Sequence, residues 1–172
     1  AKTCILGYHQ LVEFCNKQNI EFDICGKIVV AKNDSDLTQL NSIALRGAEN
    51  GLSNIRFLQK NEVKKIEPFV DVKAALHIPQ TGIVNYSEVC ERLISLAIEK
   101  RGSFRLNSEV IDLNRMGSMG AIRLKGNKHF YSEKIIFCAG LQSDRIAKID
   151  GINEKIRIVP FRGDYYKLKN ES

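Results

Sequence analysis

The run Ile135-Ile136-Phe137-Cys138-Ala139-Gly140 is the stretch whose residue types suggest chemistry most directly. A continuous apolar run is what a parallel strand buried on both faces requires. Open α/β sheets bind ligands at the carboxyl ends of their strands. A strand that ends in two small residues and a glycine lets a flat ring or a phosphate come close to the backbone. The same residues equally make a tight strand-to-helix turn. Other chemistries lack their patterns: the sequence contains no GxGxxG, no P-loop, no HExxH and no GxSxG. Self-contained nucleotide binding is therefore without a motif. His9, His77 and His129 are too scattered for a metal site, and the five cysteines form no CxxC pair. Four of the cysteines read as small buried hydrophobes.

The elements that must position this strand end follow from periodicity and punctuation. Ile5, Tyr8, Val12 and Cys15 recur at helical steps between Thr3 and Lys17. Phe22 to Ala31, broken by Gly26, reads as a strand pair or one bent strand. Asn33-Asp34-Ser35 caps a helix striped by Leu37, Leu40, Ala44 and Ala48 and stopped by Gly51. Asn61 is expected to cap a short helix that Pro68 ends, and Ala74–Ile78 is a strand followed by the turn Pro79-Gln80-Thr81-Gly82. Asn85 and Glu88 approximate a capping box for a helix closed by Gly102.

Beyond that helix the period switches to two. Phe104–Leu106, Glu109–Leu113, Met119–Lys125 and His129–Ser132 read as a meander with glycine turns. The buried strand comes next, then a helix from a Ser143 cap to Ile149, then strands over Arg157–Phe161 and Asp164–Leu168. The order predicts an α/β (mixed α+β) fold with an inserted antiparallel portion.

With 172 residues, 44% apolar and 27% charged, the chain has ordinary globular composition. The net charge of +6 is spread thinly, with Lys64-Lys65 as one adjacent basic pair and no aromatic-basic stripe, which excludes a nucleic-acid reading. No stretch approaches a membrane span, so a cytoplasmic location is the default expectation. The chain starts at Ala1 in helical pattern and Tyr165-Tyr166-Lys167-Leu168 still reads as strand, so both ends are expected to lie inside something larger.

Several segments carry a family resemblance. Cys25–Ala31, Ile66-Glu67-Pro68, Ala74–Tyr86, Phe137–Arg145 and Arg157–Tyr166 are similar, in that order, to signatures of L-2-hydroxyglutarate oxidases and dehydrogenases. Those enzymes belong to the D-amino-acid-oxidase-like FAD oxidoreductases, in which an antiparallel substrate domain interrupts a Rossmann-type FAD domain. The resemblance implies an internal piece of such a protein: residues 1–19 bordering the FAD domain, 20–84 in the substrate domain, 85–151 in the FAD domain and 152–172 returning to the substrate domain. It implies that the backbone of Val110 contacts the adenine side of FAD and that Cys138, Ala139 and Gly140 lie near the flavin, Cys138 by close packing. The implied reaction takes an L-2-hydroxy acid, L-2-hydroxyglutarate above all, to the 2-oxo acid.

A dicarboxylate substrate needs cations, and Arg162 is the candidate clamp, with an ion pair to Asp164 or Glu171 as the alternative. His77 either accepts the hydroxyl proton or packs within a hairpin. Tyr165 and Tyr166 alternate faces on a strand, so at most one of the two is expected to face the substrate while the other packs or is exposed. Family members begin with GxGxxG and end with a glycine-rich flavin segment, and neither pattern is present here. The chain alone is therefore expected to hold FAD poorly, with missing N- and C-terminal segments as partners. The resemblance leaves open a peripheral membrane contact of the longer protein. Competing readings are a glycine-oxidase-like or glycerol-3-phosphate-dehydrogenase-like enzyme, or an interaction domain that keeps the fold without the cofactor.

Overall fold

A computed structural model describes residues 2–152, Lys155, residues 157–164 and Tyr166. The chain divides into two compact units, Ala1–Phe104 and Arg105–Ser172. Its class is mixed α/β, in agreement with the sequence.

The first unit opens with helix α1 (Lys2–Gln18), ended by a Schellman closure. Asn19 takes φ +55°, its N–H donates to the Asn16 carbonyl, and the Ile20 N–H reaches back to the Cys15 carbonyl at 2.9 Å. Ile20 is thereby buried with Cys15 and Val89. Strand β1 (Phe22–Asp23) follows, then β2 (Lys27–Ala31). Helix α2 (Asp34–Glu49) has the capping box that Asn33 promised: the Asn33 side chain accepts from the Asp36 N–H, and the Asp36 carboxylate accepts from the Asn33 N–H. Gly51, at φ +86°, ends it, with the Leu52 N–H donating to the Gly47 carbonyl.

After α2 come β3 (Arg56–Gln59), α3 (Lys60–Ile66), β4 (Ala74–Ile78), β5 (Ile83–Val84) and α4 (Tyr86–Glu99). Three expectations need correction here. The N-cap of α3 is Gln59 rather than Asn61, with the Gln59 N–H donating to the Glu62 carboxylate at 2.8 Å. The Asn85 cap is real, but its side chain accepts from the Ser87 N–H rather than joining Glu88 in a reciprocal box. At the other end of α4 it is Arg101 that turns left-handed, at φ +65°, while Gly102 supplies the N–H to the Ala97 carbonyl.

The sheet order is β2-β4-β3, all antiparallel, with β4 central. Side chains alternate across it. On one face Ala31, Leu76 and Ile78 pack with Leu40 of α2; on the other Leu58 and Ala75 pack with Val63 of α3 and with Val72. Burial on both faces explains why Ala74-Ala75-Leu76 has no polar residue. A separate pair, β1 with β5, joins Phe22 to Val84.

The second unit is the expected meander: β6 (Val110–Met116), β7 (Met119–Leu124) and β8 (His129–Ser132) pair in sequence order. Phe104–Leu106 is not a strand. Gly117 provides positive φ at the first turn, and Gly126-Asn127 provide it twice at the second. A 3₁₀ turn (Gly140–Gln142) leads into α5 (Ser143–Ile149). Ser143 is the first helical residue instead of the cap, and its hydroxyl donates to the Gly140 carbonyl at 2.7 Å.

The largest departure is at 135–139, where no strand forms. Ile135 packs onto Gly120 of β7, where an added Cβ would lie 2.6 Å from its terminal carbon, yet Ile136 is 86% exposed. A parallel strand needs a neighbouring strand to pair with, and among the described residues none pairs with this segment. Residues 157–164 are likewise not strand, and most of Asp164–Leu168 lies outside the described residues. Of the five cysteines only Cys15 is buried, against the expected four.

Two substitutions test this packing. Leu76→Ala is expected to cost about 2–5 kcal/mol in urea unfolding, whereas Leu45→Ala, on the exposed side of α2, is expected to stay within about 0.5 kcal/mol. Equal losses would contradict the central place given to β4.

Candidate functional site

The backbone of Val110 is presented by the hydrogen-bond phase of an edge strand. In the β6-β7-β8 sheet, β6 has β7 on one side and no strand on the other among the described residues. The Lys125 N–H donates to the Glu109 carbonyl at 2.8 Å, and Val110 stands opposite Leu124. That makes Val110–Leu124 a non-hydrogen-bonded pair, so the N–H and C=O of Val110 point outward from the sheet. The register shifts between Val110 and Asp112, which puts the irregularity at Ile111 and sets Val110 off from the regular ladder beyond it.

Asp112 braces this irregularity. Its carboxylate accepts from Arg123 Nε and Nη2 at 3.3 and 3.1 Å, from the Asn114 amide at 3.2 Å and from the Leu113 N–H at 3.0 Å. Hydrogen bonding from the Arg123 guanidinium holds the Asp112 carboxyl below the usual range against the opposing effect of burial, with the Leu113 N–H adding to the lowering. Periodicity alone missed this pair. Its signal was an acid and a base placed to meet across a two-residue hairpin.

The Cys138–Gly140 segment is a turn with an accessible backbone. Ala139 has φ −82° and ψ 3°, its carbonyl accepts from the Gln142 N–H at 2.9 Å, and Gly140 adopts φ +53°. Nothing lies within 4 Å of the place where a Cβ on Gly140 would stand. Cys138 and Gly140 are exposed and Ala139 is half-buried. A planar group can therefore approach the Ala139-Gly140 peptide without displacing a side chain, so these residues fit the flavin role that the resemblance implies. Asp144 of α5 also accepts from the Ile158 N–H at 3.4 Å, tethering the returning segment.

Arg162 pairs with Asp164, Nε to Oδ1 at 2.8 Å, with side chains 89% and 61% exposed. An ion pair so exposed is weak, and no other partner of the guanidinium is found among the described residues. Tyr166 is exposed; Tyr165 lies outside the described residues.

His77 belongs to the first unit. It sits in mid-β4, between Ile28 and Arg56, rather than in a hairpin turn. Its Nε2 packs beside Gly26, 3.2 Å from where a Cβ would be, and its Nδ1 is buried without a hydrogen-bond partner among the described residues. A buried polar atom left unpaired costs about 1–3 kcal/mol. Among the described residues no group of three His, Cys, Asp or Glu side chains could hold a metal ion, and no helix is long and apolar enough to cross a membrane.

Comparisons with known proteins converge on one family. The FAD dependent oxidoreductase (DAO) family model matches residues 1–172. The L-2-hydroxyglutarate dehydrogenase of Indibacter alkaliphilus is 41% identical over 99% of this chain and 43% of its own length. The mitochondrial L-2-hydroxyglutarate dehydrogenase of Bos taurus is 35% identical over 99% of this chain and 39% of its own. The Escherichia coli L-2-hydroxyglutarate dehydrogenase is 30% identical over 99% and 40%. The chain thus spans about two fifths of the length of the relatives it matches. Among solved structures, L-proline dehydrogenase from P. horikoshii superposes with a TM-score of 0.73 at 16% identity over 87% of this chain and 40% of that one. Glycine oxidase from Geobacillus kaustophilus gives 0.71 at 20% over 85% and 41%. At such identities these likenesses establish the fold.

The brace at Asp112 is testable by pH. Because its native pKa is lowered, its contribution to stability is present above the ordinary aspartate range, near pH 4, and is lost as pH falls through the lower native value. Wild type is expected to unfold at higher urea than Asp112→Asn at pH 6, the gap narrowing as pH falls below the ordinary aspartate range. A gap that does not change with pH would contradict the assignment.

Proposed function

The chain belongs to the FAD-dependent oxidoreductase family, and we propose that it forms part of an enzyme that oxidises L-2-hydroxyglutarate, or a close 2-hydroxy dicarboxylate, to the 2-oxo acid. The observation that carries this reading is identity of 30–41% across 99% of the chain to proteins named L-2-hydroxyglutarate dehydrogenase. Their greater length supports a second part of the proposal: activity requires polypeptide corresponding to the rest of those relatives.

In this reading FAD, when bound, takes up the hydride from the carbinol carbon. The residues of this chain bind and orient. Val110 offers an outward N–H and C=O to the adenine side, fixed by the Asp112–Arg123 brace. Cys138, Ala139 and Gly140 offer an unobstructed backbone to the flavin. Residues 20–84 supply substrate-domain structure and 85–151 FAD-domain structure, in which 135–139 pairs as a strand once a neighbouring strand is present.

Arg162 meets a substrate carboxylate through the N–H groups that Asp164 leaves open, a geometry to which guanidinium is suited. At most one of Tyr165 and Tyr166 faces the same ligand. For His77, the sealed Nδ1 and the contact with Gly26 favour packing over proton transfer. The longer protein is the partner of the dicarboxylate.

The test is a fusion in which the flanking segments of the Indibacter alkaliphilus relative are joined to both sides of this chain. Dye-linked oxidation is expected to favour L-2-hydroxyglutarate over glycine and glycerol 3-phosphate by roughly two orders of magnitude or more in kcat/KM. A ranking led by either of the other two would sink the substrate assignment. In the same fusion Gly140→Val, which forces a β-branched residue into a left-handed position and fills the approach to the backbone, is expected to weaken FAD binding about tenfold or more. His77→Gln is expected to change kcat less than about tenfold, whereas a general base would lose about 10²–10⁴.

A further inference from the structure

We infer that a cavity of about 430 Å³ in the first unit, walled by the first turns of α1, the Gly51–Ser53 loop and the Pro79–Gly82 turn, binds a small, neutral, ring-bearing molecule with a hydrogen-bonding edge. The volume lies within the range of small-molecule sites, and the lining is mainly apolar, with Ile5, Leu52 and the Tyr8 ring contributing. Among the described residues no aspartate, glutamate, lysine or arginine lines it, and His9 is its one titratable nitrogen base. A carboxylate entering the cavity would shed its hydration without meeting a permanent cation among the described lining residues. The site therefore does not suit the dicarboxylate substrate proposed above and is independent of that reading.

The polar edge is built by Gln80 and Ser53. Gln80 Nε2 donates to both the carbonyl and the hydroxyl oxygen of Ser53. The reverse amide orientation would set carbonyl oxygen against carbonyl oxygen, so the orientation is determined. Gln80 Oε1 is left buried at the cavity wall with no donor among the described residues. The Thr81 hydroxyl spends its proton on the Ile78 carbonyl at 3.1 Å and keeps its lone pairs. The Ser53 hydroxyl, accepting from Gln80, retains a proton to donate. The edge thus offers an acceptor at Thr81 and a donor at Ser53, with the unpaired Gln80 Oε1 buried behind them, a pattern matched by an amide or similar neutral group on a ring.

The walls are held before any ligand arrives. Gly51 is fixed by the helix closure of α2, the turn is pinned by the Gly26 N–H donating to the Thr81 carbonyl at 2.9 Å, and Gln80 ties turn to loop. Little ordering remains for binding to impose.

Benzamide and benzoate, which share a shape and differ in charge, provide the test on the 172-residue chain by ¹H–¹⁵N NMR titration. Benzamide is expected to shift the Gln80 side-chain amide and the backbone amides of residues 51–53 and 81–82 saturably, in the millimolar range for a fragment of about nine heavy atoms. Benzoate is expected to bind about tenfold more weakly or worse. Cys4→Trp, placed at the rim on an exposed position of α1, is expected to abolish the shifts with the far-UV circular dichroism unchanged. If that variant does not fold, Gln80→Met keeps the apolar space, removes the amide and is expected to weaken benzamide about tenfold. No saturable shift with benzamide, benzoate binding as tightly, or full benzamide affinity in a folded variant of either kind would overturn the proposal.

Discussion

Strand β4 is the physical constraint on which the first unit depends. A strand with partners on both edges and helices over both faces has no surface left for polar side chains, and Ala74, Ala75 and Leu76 meet that demand. The small Ala75 lets α3 lie close on one face, while Leu76 fills the space beneath α2 on the other. Neither helix would be stable alone at its length in water, so their order is a consequence of covering this strand. The same strand leads into the Pro79–Gly82 turn, which is why a preformed cavity can exist beside it.

In the second unit the groups proposed to meet the cofactor are backbone groups, and each is exposed for a different reason. Val110 is exposed by hydrogen-bond phase on an edge strand, and Gly140 by lacking a side chain in a left-handed position. Backbone recognition of this kind tolerates changes of side chain but not of register. The Asp112–Arg123 pair is therefore placed where a slip would matter most, next to the irregularity that sets the phase of Val110.

Features governed by a few neighbouring residues were legible in the sequence. Asn33 and Asp36 make their box, Gly51 ends its helix, and the Gly126-Asn127 turn sits where its residue types demand. Features decided by geometry between segments were not. Arg101 instead of Gly102 turns left-handed because the closure needs the Gly102 amide one residue further on. The apolar run at 135–139 has the composition of a buried strand, but composition cannot provide the neighbour that would pair with it. Of the two partners that the sequence offers Arg162, Asp164, two residues away, is in contact, and Glu171 lies outside the described residues. The outward direction of the Val110 amide depends on a register shift that no residue type announces.

The central claim is that a longer FAD-dependent oxidoreductase uses the outward backbone of Val110 and the open Ala139-Gly140 turn as cofactor contacts. Hydrogen–deuterium exchange on the fused protein, with and without FAD, tests it most directly. The account expects FAD to slow exchange at the amides of Val110 and of Ala139 and Gly140 more than at Met116 or Met119, at the far end of the same hairpin. Stoichiometric FAD binding with no added protection at either place would contradict it.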